Sequence, residues 1–356
     1  MRDERDDAGR RSPAAGVVTE LRRDIVSGNH VLVAPHRSGR PSTVTRSTPA
    51  PPGTAPGTGA ANRGADRQHC PFCPGNEGST AEELVRSGPD GPQSADWRVR
   101  VVRNRYPVLG SAHGATGDCE VVVFRSHDRR LEDLDDDEMA EIMWVVRERV
   151  AAQLRAGRAS VQVFVNAEAE AGASIAHPHA QIIGLDFVPP ALALELDLVA
   201  ELGSDPLARD LAFADEHGLV VADGAVTAWC PPAMQFPYSV RVAPRVAPSP
   251  FHELDPDTIA AVARTVRDVL GAINRLLGRP PYNVVLFCDQ ARGDLLRRWR
   301  IEVVPRTVVP GGFEIGTAVG THATATPDAA EALRRLIRED PEVHTTAREV
   351  PMSRTS

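Results

Sequence analysis

The chain has 356 residues, of which 42% are hydrophobic, so it is long enough for two domains of about 150 residues each. Its formal net charge of −8 argues against a general affinity for nucleic acid or anionic membranes, both of which favour basic surfaces. No apolar run approaches the roughly 20 residues that span a bilayer, and the N-terminus has no apolar core of a signal peptide. We therefore expect a cytoplasmic protein in which any phosphate site is local.

All 40 basic residues, apart from histidine, are arginine. The absence of lysine excludes Schiff-base chemistry and a P-loop, and it favours arginine forks for any phosphate that is bound. The chain has five cysteines, an odd number, and no export signal. This count does not suggest a disulfide framework, and a metal site is more consistent with it.

The N-terminal segment combines an irregular tail with a short β-structure. Residues 1–16 are charged and predict a disordered tail, and we expect residues 341–356 to form a flexible tail as well. From Val17 to Pro35 the pattern predicts two short strands around a Ser-Gly-Asn turn. The following segment, from about residue 41 to 68, is rich in Pro, Thr, Gly and Ala and predicts a flexible loop.

Two cysteines stand two residues apart in Cys70-Pro71-Phe72-Cys73. This spacing suits one tetrahedral Zn²⁺, with the nearby Pro and Gly residues forming a tight turn. A redox dithiol and a chance pairing are the alternatives. Two further ligands are needed, and His127 and His177 are the candidates.

A second signal is the sequence His177-Pro178-His179 inside an apolar run. A neutral imidazole near pH 7 is a competent nucleophile or metal ligand, because its unperturbed pKa is about 6.5. We expect one histidine to be structural and the other to face a substrate. Two ordinary strand histidines are the alternative.

The second half of the chain repeats the first in weakened form. Each half predicts a strand, a helix, a strand, a loop and a further strand, which indicates a duplicated α+β unit. The segments are 120–124, 135–156, 161–166 and 177–182 in the first copy, and 238–242, 254–277, 282–287 and 298–303 in the second. Arg298 and Arg300 replace the two histidines in the second copy. We expect an N-terminal unit over residues 17–195, carrying the metal site and the nucleophile, and a degenerate repeat over residues 196–340.

Four blocks of sequence carry a family resemblance. They are Cys-Pro-Phe-Cys-Pro-Gly-Asn-Glu at 70–77, Ser-His at 126–127, Gly-Ala-Ser-x-x-His-Pro-His-x-Gln-Ile at 172–182 and Gly-Gly-Phe-Glu-Ile-Gly-Thr at 311–317. Together they resemble the galactose-1-phosphate uridylyltransferase family, the transferase branch of the histidine-triad superfamily. The resemblance extends from about residue 18 to 340. It implies duplicated histidine-triad-like units with antiparallel half-barrel sheets flanked by helices.

The resemblance also implies a ping-pong nucleotidyl transfer. His179 would attack the α-phosphorus of a nucleoside-diphosphate sugar, and the nucleotidyl group, UMP in the leading interpretation, would then pass to a hexose 1-phosphate. Gln181 stands where hydrolases of the superfamily have a third histidine, which favours transfer over hydrolysis. The family further implies a homodimer, with no nucleic acid or membrane as partner.

Position by position, the resemblance implies a role for each remaining site residue. Cys70, Cys73, His127 and His177 match the ligands of one structural Zn²⁺ ion. Ser174 and Asn166 would contact the phosphates, Asn104 the nucleoside and Glu314 a sugar hydroxyl. Arg37 and Arg40 match phosphate-binding arginines, although by themselves they fit a solvated surface equally well.

The sequence departs from the family pattern in the second half. A second metal site is expected to be absent, because Ala247, Phe287, Arg298 and Arg300 occupy the positions of its ligands. Cys119, Cys230 and Cys288 are then expected to be buried small hydrophobic residues.

The sugar pocket also departs from the pattern. Gly320 and the segment 313–317 look closer to the ADP-glucose phosphorylase branch, in which inorganic phosphate is the second acceptor. A phosphorylase, a transferase for a specialised sugar or nucleotide, and a non-catalytic nucleotide-binding protein therefore remain as alternatives.

Overall fold

The computed structural model describes residues 19–39, 67–92, 94–109, 116–245, 249–288 and 299–339. The predicted tails at 1–16 and 341–356, and nearly all of the predicted loop at 41–68, lie outside these ranges. The strands are β1 Glu20–Arg23, β2 His30–Val33, β3 Glu83–Ser87, β4 Val99–Arg103, β5 Gly117–Phe124, β6 Ser160–Ala167, β7 His179–Leu185, β8 Val220–Asp223, β9 Thr227–Trp229, β10 Val240–Ala243, β11 Tyr282–Cys288, β12 Trp299–Pro305 and β13 Val319–His322. The α-helices are α1 Asp136–Arg155, α2 Pro190–Leu202, α3 Pro206–Glu216, α4 Pro256–Leu277, α5 Gly312–Thr317 and α6 Thr326–Arg338.

A ten-stranded antiparallel sheet runs through both halves in the order β3-β4-β5-β7-β6-β11-β12-β10-β9-β8. From the centre outward, the strand order is β6-β7-β5-β4-β3 in the first half and β11-β12-β10-β9-β8 in the second, so corresponding strands occupy corresponding places. The antiparallel pair β6–β11 joins the two repeats. We call this pair the seam. The predicted duplicated α+β fold, with antiparallel sheets flanked by helices, is confirmed, whereas the domain boundaries stay a prediction.

The long helix of each repeat begins at an aspartate. Asp135 accepts a hydrogen bond from the backbone N–H of Glu138 at 2.8 Å, and Asp255 accepts one from that of Thr258 at 2.9 Å. Such caps satisfy N–H groups that have no partner inside the helix. Helices α1 and α4 contact each other and contribute to one continuous hydrophobic core. Met139, on α1, is part of that core.

The three cysteines outside the 70–73 pair are buried and form no disulfide. Cys119, Cys230 and Cys288 are exposed by 8% or less. Complete burial raises the pKa of the Cys230 thiol to about 12, so that group stays neutral at physiological pH. The expectation that these cysteines are buried is confirmed.

A smaller sheet contains β1, β2 and β13, with β13 parallel to β2. The predicted turn between β1 and β2 contains Gly28 at φ +74°, a backbone conformation that favours glycine. This sheet brings the segment after β2, which carries Arg37, close to helix α5, which carries Glu314. Among the described helices, none combines the length and the apolar character needed to cross a bilayer.

Candidate active site and metal centre

Hydrogen bonds from Asn76 and to Glu77, the two residues after Gly75, hold the loop that carries Cys70 and Cys73 in place. Asn76 donates its side-chain N–H to the carbonyl of Cys70 at 2.8 Å. Glu77 accepts from the backbone N–H of Gly75 at 2.9 Å and from the indole N–H of the fully buried Trp97 at 2.9 Å. The chain therefore fixes the position of the two sulfur atoms through polar contacts on both sides of the turn.

The structure brings the four predicted metal ligands together. Cys70, Cys73, His127 and His177 place one ligand atom each within 4.8 Å of all the others. Nδ1 of His177 lies 3.5 Å from Sγ of Cys70, 3.6 Å from Sγ of Cys73 and 3.2 Å from Nδ1 of His127. Tetrahedral Zn²⁺ with its usual bond lengths requires sulfur–nitrogen edges of about 3.6 Å and nitrogen–nitrogen edges of about 3.3 Å. The donor set and its spacing fit one such ion.

The protonation of these groups also suits a cation. His177 donates its Nε2 proton to the carbonyl of Phe124 at 2.6 Å. Its Nδ1 is therefore unprotonated, and the lone pair of this atom faces the two cysteine sulfur atoms. Burial lowers the pKa of His177 to about 4, so the ring is neutral near pH 7. Burial and the neighbouring Cys70 raise the pKa of the Cys73 thiol to about 11, and a divalent cation would displace that proton.

His179 begins strand β7, two residues after the ligand His177. Its Nδ1 proton is donated to the backbone carbonyl of His177 at 2.8 Å, so its Nε2 carries the lone pair. The side chain is buried, and burial lowers its pKa, which favours the neutral imidazole. The Phe72 ring lies 5.3 Å from the His179 ring and 5.8 Å from that of His177, measured between centroids. The result is an imidazole held in one tautomer and one orientation.

Gln181 and Asn166 lie next to this imidazole in the sheet. Gln181 follows His179 by two residues on β7, so the two side chains point to the same face. Asn166, near the end of β6, donates to the carbonyl of Gly172 at 3.3 Å and accepts from Asn283 at 2.8 Å. Ser174 is exposed in the same β6–β7 loop.

Asn104 directly follows β4 and is half-buried. Its backbone N–H donates to the carbonyl of Cys119 at 2.8 Å, and its side-chain oxygen accepts from the backbone N–H of Tyr106 at 2.9 Å. The oxygen thus forms a local Asx turn. Its side-chain amide nitrogen is the part of the residue that suits recognition of a ligand.

Arg37 and Glu314 form a second group, in a cleft of about 450 Å³ whose other lining residues include His322. Glu314 accepts hydrogen bonds from the backbone N–H of Gly311 at 2.8 Å and from the hydroxyl of Thr321. His179 does not line this cleft, and in the described part of the chain no hydrogen bond joins either residue to His179. Arg40, the other predicted phosphate ligand, lies outside the described residues.

The family model for the galactose-1-phosphate uridyl transferase N-terminal domain matches residues 12–189, half of the chain. The chain belongs to the galactose-1-phosphate uridylyltransferase family. An ADP-glucose phosphorylase from Arabidopsis thaliana is 27% identical over 339 residues, covering 89% of this chain and 93% of that protein. A galactose-1-phosphate uridylyltransferase from Cryptococcus neoformans var. neoformans is 26% identical over 294 residues, covering 73% and 72%.

Among solved structures, the fold is similar to an Arabidopsis thaliana ADP-glucose phosphorylase crystallised with bound ADP-glucose. The TM-score is 0.75 at 27% identity, covering 89% of this chain and 98% of that one. The family resemblance seen in the sequence, including its features of the phosphorylase branch, is confirmed. A member of this family transfers nucleotidyl groups.

Arg300, which replaces a histidine in the second repeat, has become part of a buried ion-pair cluster. Its guanidinium donates to both carboxylate oxygens of Glu195, at 2.7 and 2.8 Å, and to Glu302 at 2.8 Å. It also lies over the Phe287 ring, 3.9 Å from the centroid. Ala247 and Arg298 lie outside the described residues, and the absence of a second metal site stays a prediction.

Two residues that contact the candidate active site, Phe72 and Asn283, were not predicted from the sequence. Phe72 was assigned only to the metal loop, although its place between the two cysteines put it near the histidines. Asn283 was assigned only to a strand of the second repeat, and nothing in the sequence joined it to Asn166.

Proposed function

We propose that this protein is a nucleoside-diphosphate-sugar phosphorylase that works through a nucleotidyl-His179 intermediate. The observation that carries the proposal is the hydrogen bond from Nδ1 of His179 to the carbonyl of His177, since it leaves the Nε2 lone pair for attack. A neutral imidazole held in one tautomer is suited to nucleophilic catalysis. The overall similarity to an ADP-glucose phosphorylase, over 89% of the chain, supports ADP-glucose as the donor.

The reaction proceeds in two displacements. Nε2 of His179 attacks the α-phosphorus of the nucleotide sugar, and the bond from that phosphorus to the bridging oxygen breaks, so that sugar 1-phosphate leaves with the electron pair. Inorganic phosphate then attacks the same phosphorus, the phosphorus–nitrogen bond breaks, and the nucleoside diphosphate leaves with neutral His179 restored. The covalent relay divides a displacement between two anions into two easier steps.

Gln181, Asn166 and Ser174 serve as neutral donors to the phosphoryl oxygens. Gln181 shares a face of β7 with His179, and its amide can donate a hydrogen bond without taking up a proton. A neutral group at this position fits transfer to a phosphate better than proton-assisted hydrolysis. Asn104 contacts the nucleoside through its side-chain amide.

Uridylyl transfer from a UDP-sugar to a hexose 1-phosphate, the leading expectation from the sequence, is the second candidate. It is favoured by the family model and by the uridylyltransferase relatives. Both reactions share the His179 intermediate and differ in the base of the donor and in the acceptor. A non-catalytic nucleotide-binding protein, in contrast, would form no intermediate.

Arg37 and Glu314 act in this proposal from a neighbouring subunit of a homodimer. They lie in a cleft that His179 does not line, and exposed apolar side chains surround it, with Val309 76% exposed, Ile315 77% and Phe313 50%. Contiguous exposed apolar patches are typical of interaction sites, and this one supports a subunit interface. Glu314 would accept a hydrogen bond from a sugar hydroxyl, and Arg37 would contact phosphate.

We assign one structural Zn²⁺ ion to Cys70, Cys73, His127 and His177. Four protein ligands fill a tetrahedral site, so no position remains for substrate. When bound, the ion would hold the 70–73 loop and His177 together, and the carbonyl of His177 in turn orients His179. A cytoplasmic location stays a prediction.

The proposal is tested by incubating the protein with ADP-glucose or UDP-glucose, each with inorganic phosphate or galactose 1-phosphate. We expect release of glucose 1-phosphate that depends on inorganic phosphate and is fastest with ADP-glucose. Release that requires galactose 1-phosphate and UDP-glucose would identify the second candidate instead. Repeated turnover without either acceptor, beyond the single equivalent of glucose 1-phosphate that adduct formation releases, would indicate hydrolysis and contradict both.

A further inference from the structure

Asn283 joins the second repeat to the candidate active site. It lies on β11 directly opposite Asn166 of β6, at the seam. Its side-chain nitrogen donates to Oδ1 of Asn166 at 2.8 Å and to the carbonyl of Ala171 at 2.9 Å. One amide group therefore holds both the end of β6 and the loop that leads to Ser174 and the two histidines.

The β6–β7 loop has a backbone that needs such support. Glu168 has φ +73° although it is not glycine, and Gly172 has φ +96°. A residue other than glycine persists in this region only where its surroundings determine the conformation. Within the loop, the carbonyl of Glu168 accepts from the N–H groups of Ala171 and Ala173, both at 3.1 Å. Asn283 adds a bond from the second repeat to this loop, at the carbonyl of Ala171.

The orientation of the Asn166 amide follows from the same contact. Because Asn283 donates to Oδ1 of Asn166, that amide must turn its nitrogen toward the loop, where it donates to the carbonyl of Gly172 at 3.3 Å. A second proton on this nitrogen remains for a phosphoryl oxygen. The opposite orientation would turn a carbonyl oxygen toward an anionic phosphate, which is repulsive.

We propose that Asn283 is a positioning residue for nucleotidyl transfer, which sets the amide orientation of Asn166 and holds the β6–β7 loop in its reactive conformation. The inference rests on the proposed function. It assigns the second repeat a role in the site of its own chain, although that repeat lacks the histidines.

Asn283 can hold Asn166 and the loop in place because the start of β11 is itself anchored to the first repeat. Tyr282 is 1% exposed, and its hydroxyl donates to Glu132 at 2.8 Å. Arg130 donates to the carbonyl of Pro280 at 2.9 Å and lies over the Tyr282 ring, 4.5 Å from the centroid. A rigid strand therefore presents the Asn283 amide to a strained loop.

The test is the rate of nucleotidyl adduct formation on His179 in a single turnover, measured by rapid quenching and intact-protein mass spectrometry with ADP-glucose and with UDP-glucose. Asn283→Asp keeps the shape of the side chain but replaces its donor with oxygens. We expect the maximal rate constant to fall roughly 10- to 100-fold, as for other residues that orient a reacting group, with a smaller change in the half-saturating donor concentration. Asn283→Ala removes the donor without adding repulsion and should show a smaller fall.

A pH series separates positioning from simple loss of structure. Protonation of the carboxyl introduced by Asn283→Asp restores a donor, so the ratio of its rate to the wild-type rate should rise as the pH falls. Asn283→Ala should show no such recovery. Metal content and Tm are measured in parallel, and if Asn283→Asp does not fold, Asn283→Ala carries the test.

Gln162→Glu is the matched control at the same seam. Gln162 donates across the seam to the carbonyl of Leu286 at 3.2 Å, away from Asn166 and the loop. The same exchange of amide for carboxylate there should leave the rate within roughly twofold of wild type. An unchanged rate in Asn283→Asp, an equal loss in Gln162→Glu, or equal and pH-independent losses in both Asn283 variants would overturn the inference. If the wild-type protein formed no adduct with either donor, the proposed function itself would fail, and this inference with it.

Discussion

His179 donates its Nδ1 proton to the backbone carbonyl of His177, and this 2.8 Å contact connects the metal centre to the proposed nucleophile. The side chain of His177 turns its Nδ1 toward the cysteine sulfurs, while its main chain fixes the tautomer of His179. In the mechanism proposed above, a single short segment thus carries a structural role and a chemical role. The separation of these roles gives the first two predictions.

His179→Gly should abolish nucleotidyl transfer, by at least about a thousandfold, because it removes the atom that forms the covalent bond. The zinc content should be unchanged, since His179 is not among the four clustered ligands. Steady-state assays and elemental analysis on the same preparation measure both quantities. A variant with normal turnover would remove the nucleophile assignment.

Cys70→Ser should lower the zinc content and the Tm together, because it removes one of four ligands from a site that ties two loops to the sheet. Cys119→Ala is the control, since Cys119 is buried in β5 outside the cluster. It should keep its zinc. If Cys70→Ser lost zinc without any fall in Tm, the metal would not have the structural role proposed for it.

Mixing two inactive variants tests whether the site is shared between subunits. His179→Gly and Arg37→Ala should each be inactive, whereas a mixture refolded or exchanged together should regain roughly a quarter of wild-type activity, because half of random dimers are heterodimers with one intact site. Mixing His179→Gly with Cys70→Ser, which alter the same chain's half of the site, should give no intact site. Equal recovery in both mixtures, or none in the first, would contradict the shared site.

A buried arginine in the second repeat gives a prediction about pH. Arg241 forms ion pairs with Asp24 and with Asp210, which lies 2.9 Å away, and all three side chains are almost fully buried. Burial by itself favours the neutral form of both carboxyl groups. For Asp24, Arg241 and the backbone N–H groups of Val26 and Ser27 outweigh burial and lower the pKa, whereas for Asp210 burial prevails and the pKa is raised.

These opposite directions predict different costs for two matched substitutions. The lowered pKa of Asp24 means that its carboxylate stabilises the fold above the unfolded value of 3.8, and that this contribution is lost as the pH falls through the lower folded value. Asp24→Asn should therefore cost about 3 kcal/mol of unfolding free energy at pH 7, and less in acid. Burial of the Asp210 carboxylate opposes its ionisation, so Asp210→Asn should lower the unfolding free energy at pH 7 by less than Asp24→Asn does. Urea unfolding at pH 7 and at about pH 2.5, below the unfolded pKa of Asp24, measures both, and a larger cost for Asp210→Asn at pH 7 would contradict the assignment.

The sequence predicted those parts of the site that are encoded locally. The spacing of Cys70 and Cys73 predicted half of a metal site, and the family resemblance supplied the distant ligands His127 and His177. The helix predicted from residue 135 begins there, where Asp135 caps α1 within one turn. Asn283 could not be found in this way. It lies 117 residues from Asn166, and their contact depends on the register of the seam, which is set by tertiary packing.

The same limit applies to Arg37 and Glu314. The family resemblance assigned both to the substrate, but one chain holds them in a cleft that His179 does not line. A sequence gives the members of a site without stating which subunit supplies each one. In the homodimer proposed above, the packing of the second subunit decides that question.

The central claim is covalent transfer through His179, and intact-protein mass spectrometry after brief incubation with a nucleotide sugar, in the absence of any acceptor, tests it most directly. We predict an acid-labile adduct with the mass of AMP from ADP-glucose, absent in His179→Gly and discharged by inorganic phosphate. An adduct of UMP discharged by galactose 1-phosphate would keep the mechanism and change the substrate. No adduct with ADP-glucose or UDP-glucose, in a protein that holds its zinc, would contradict the account.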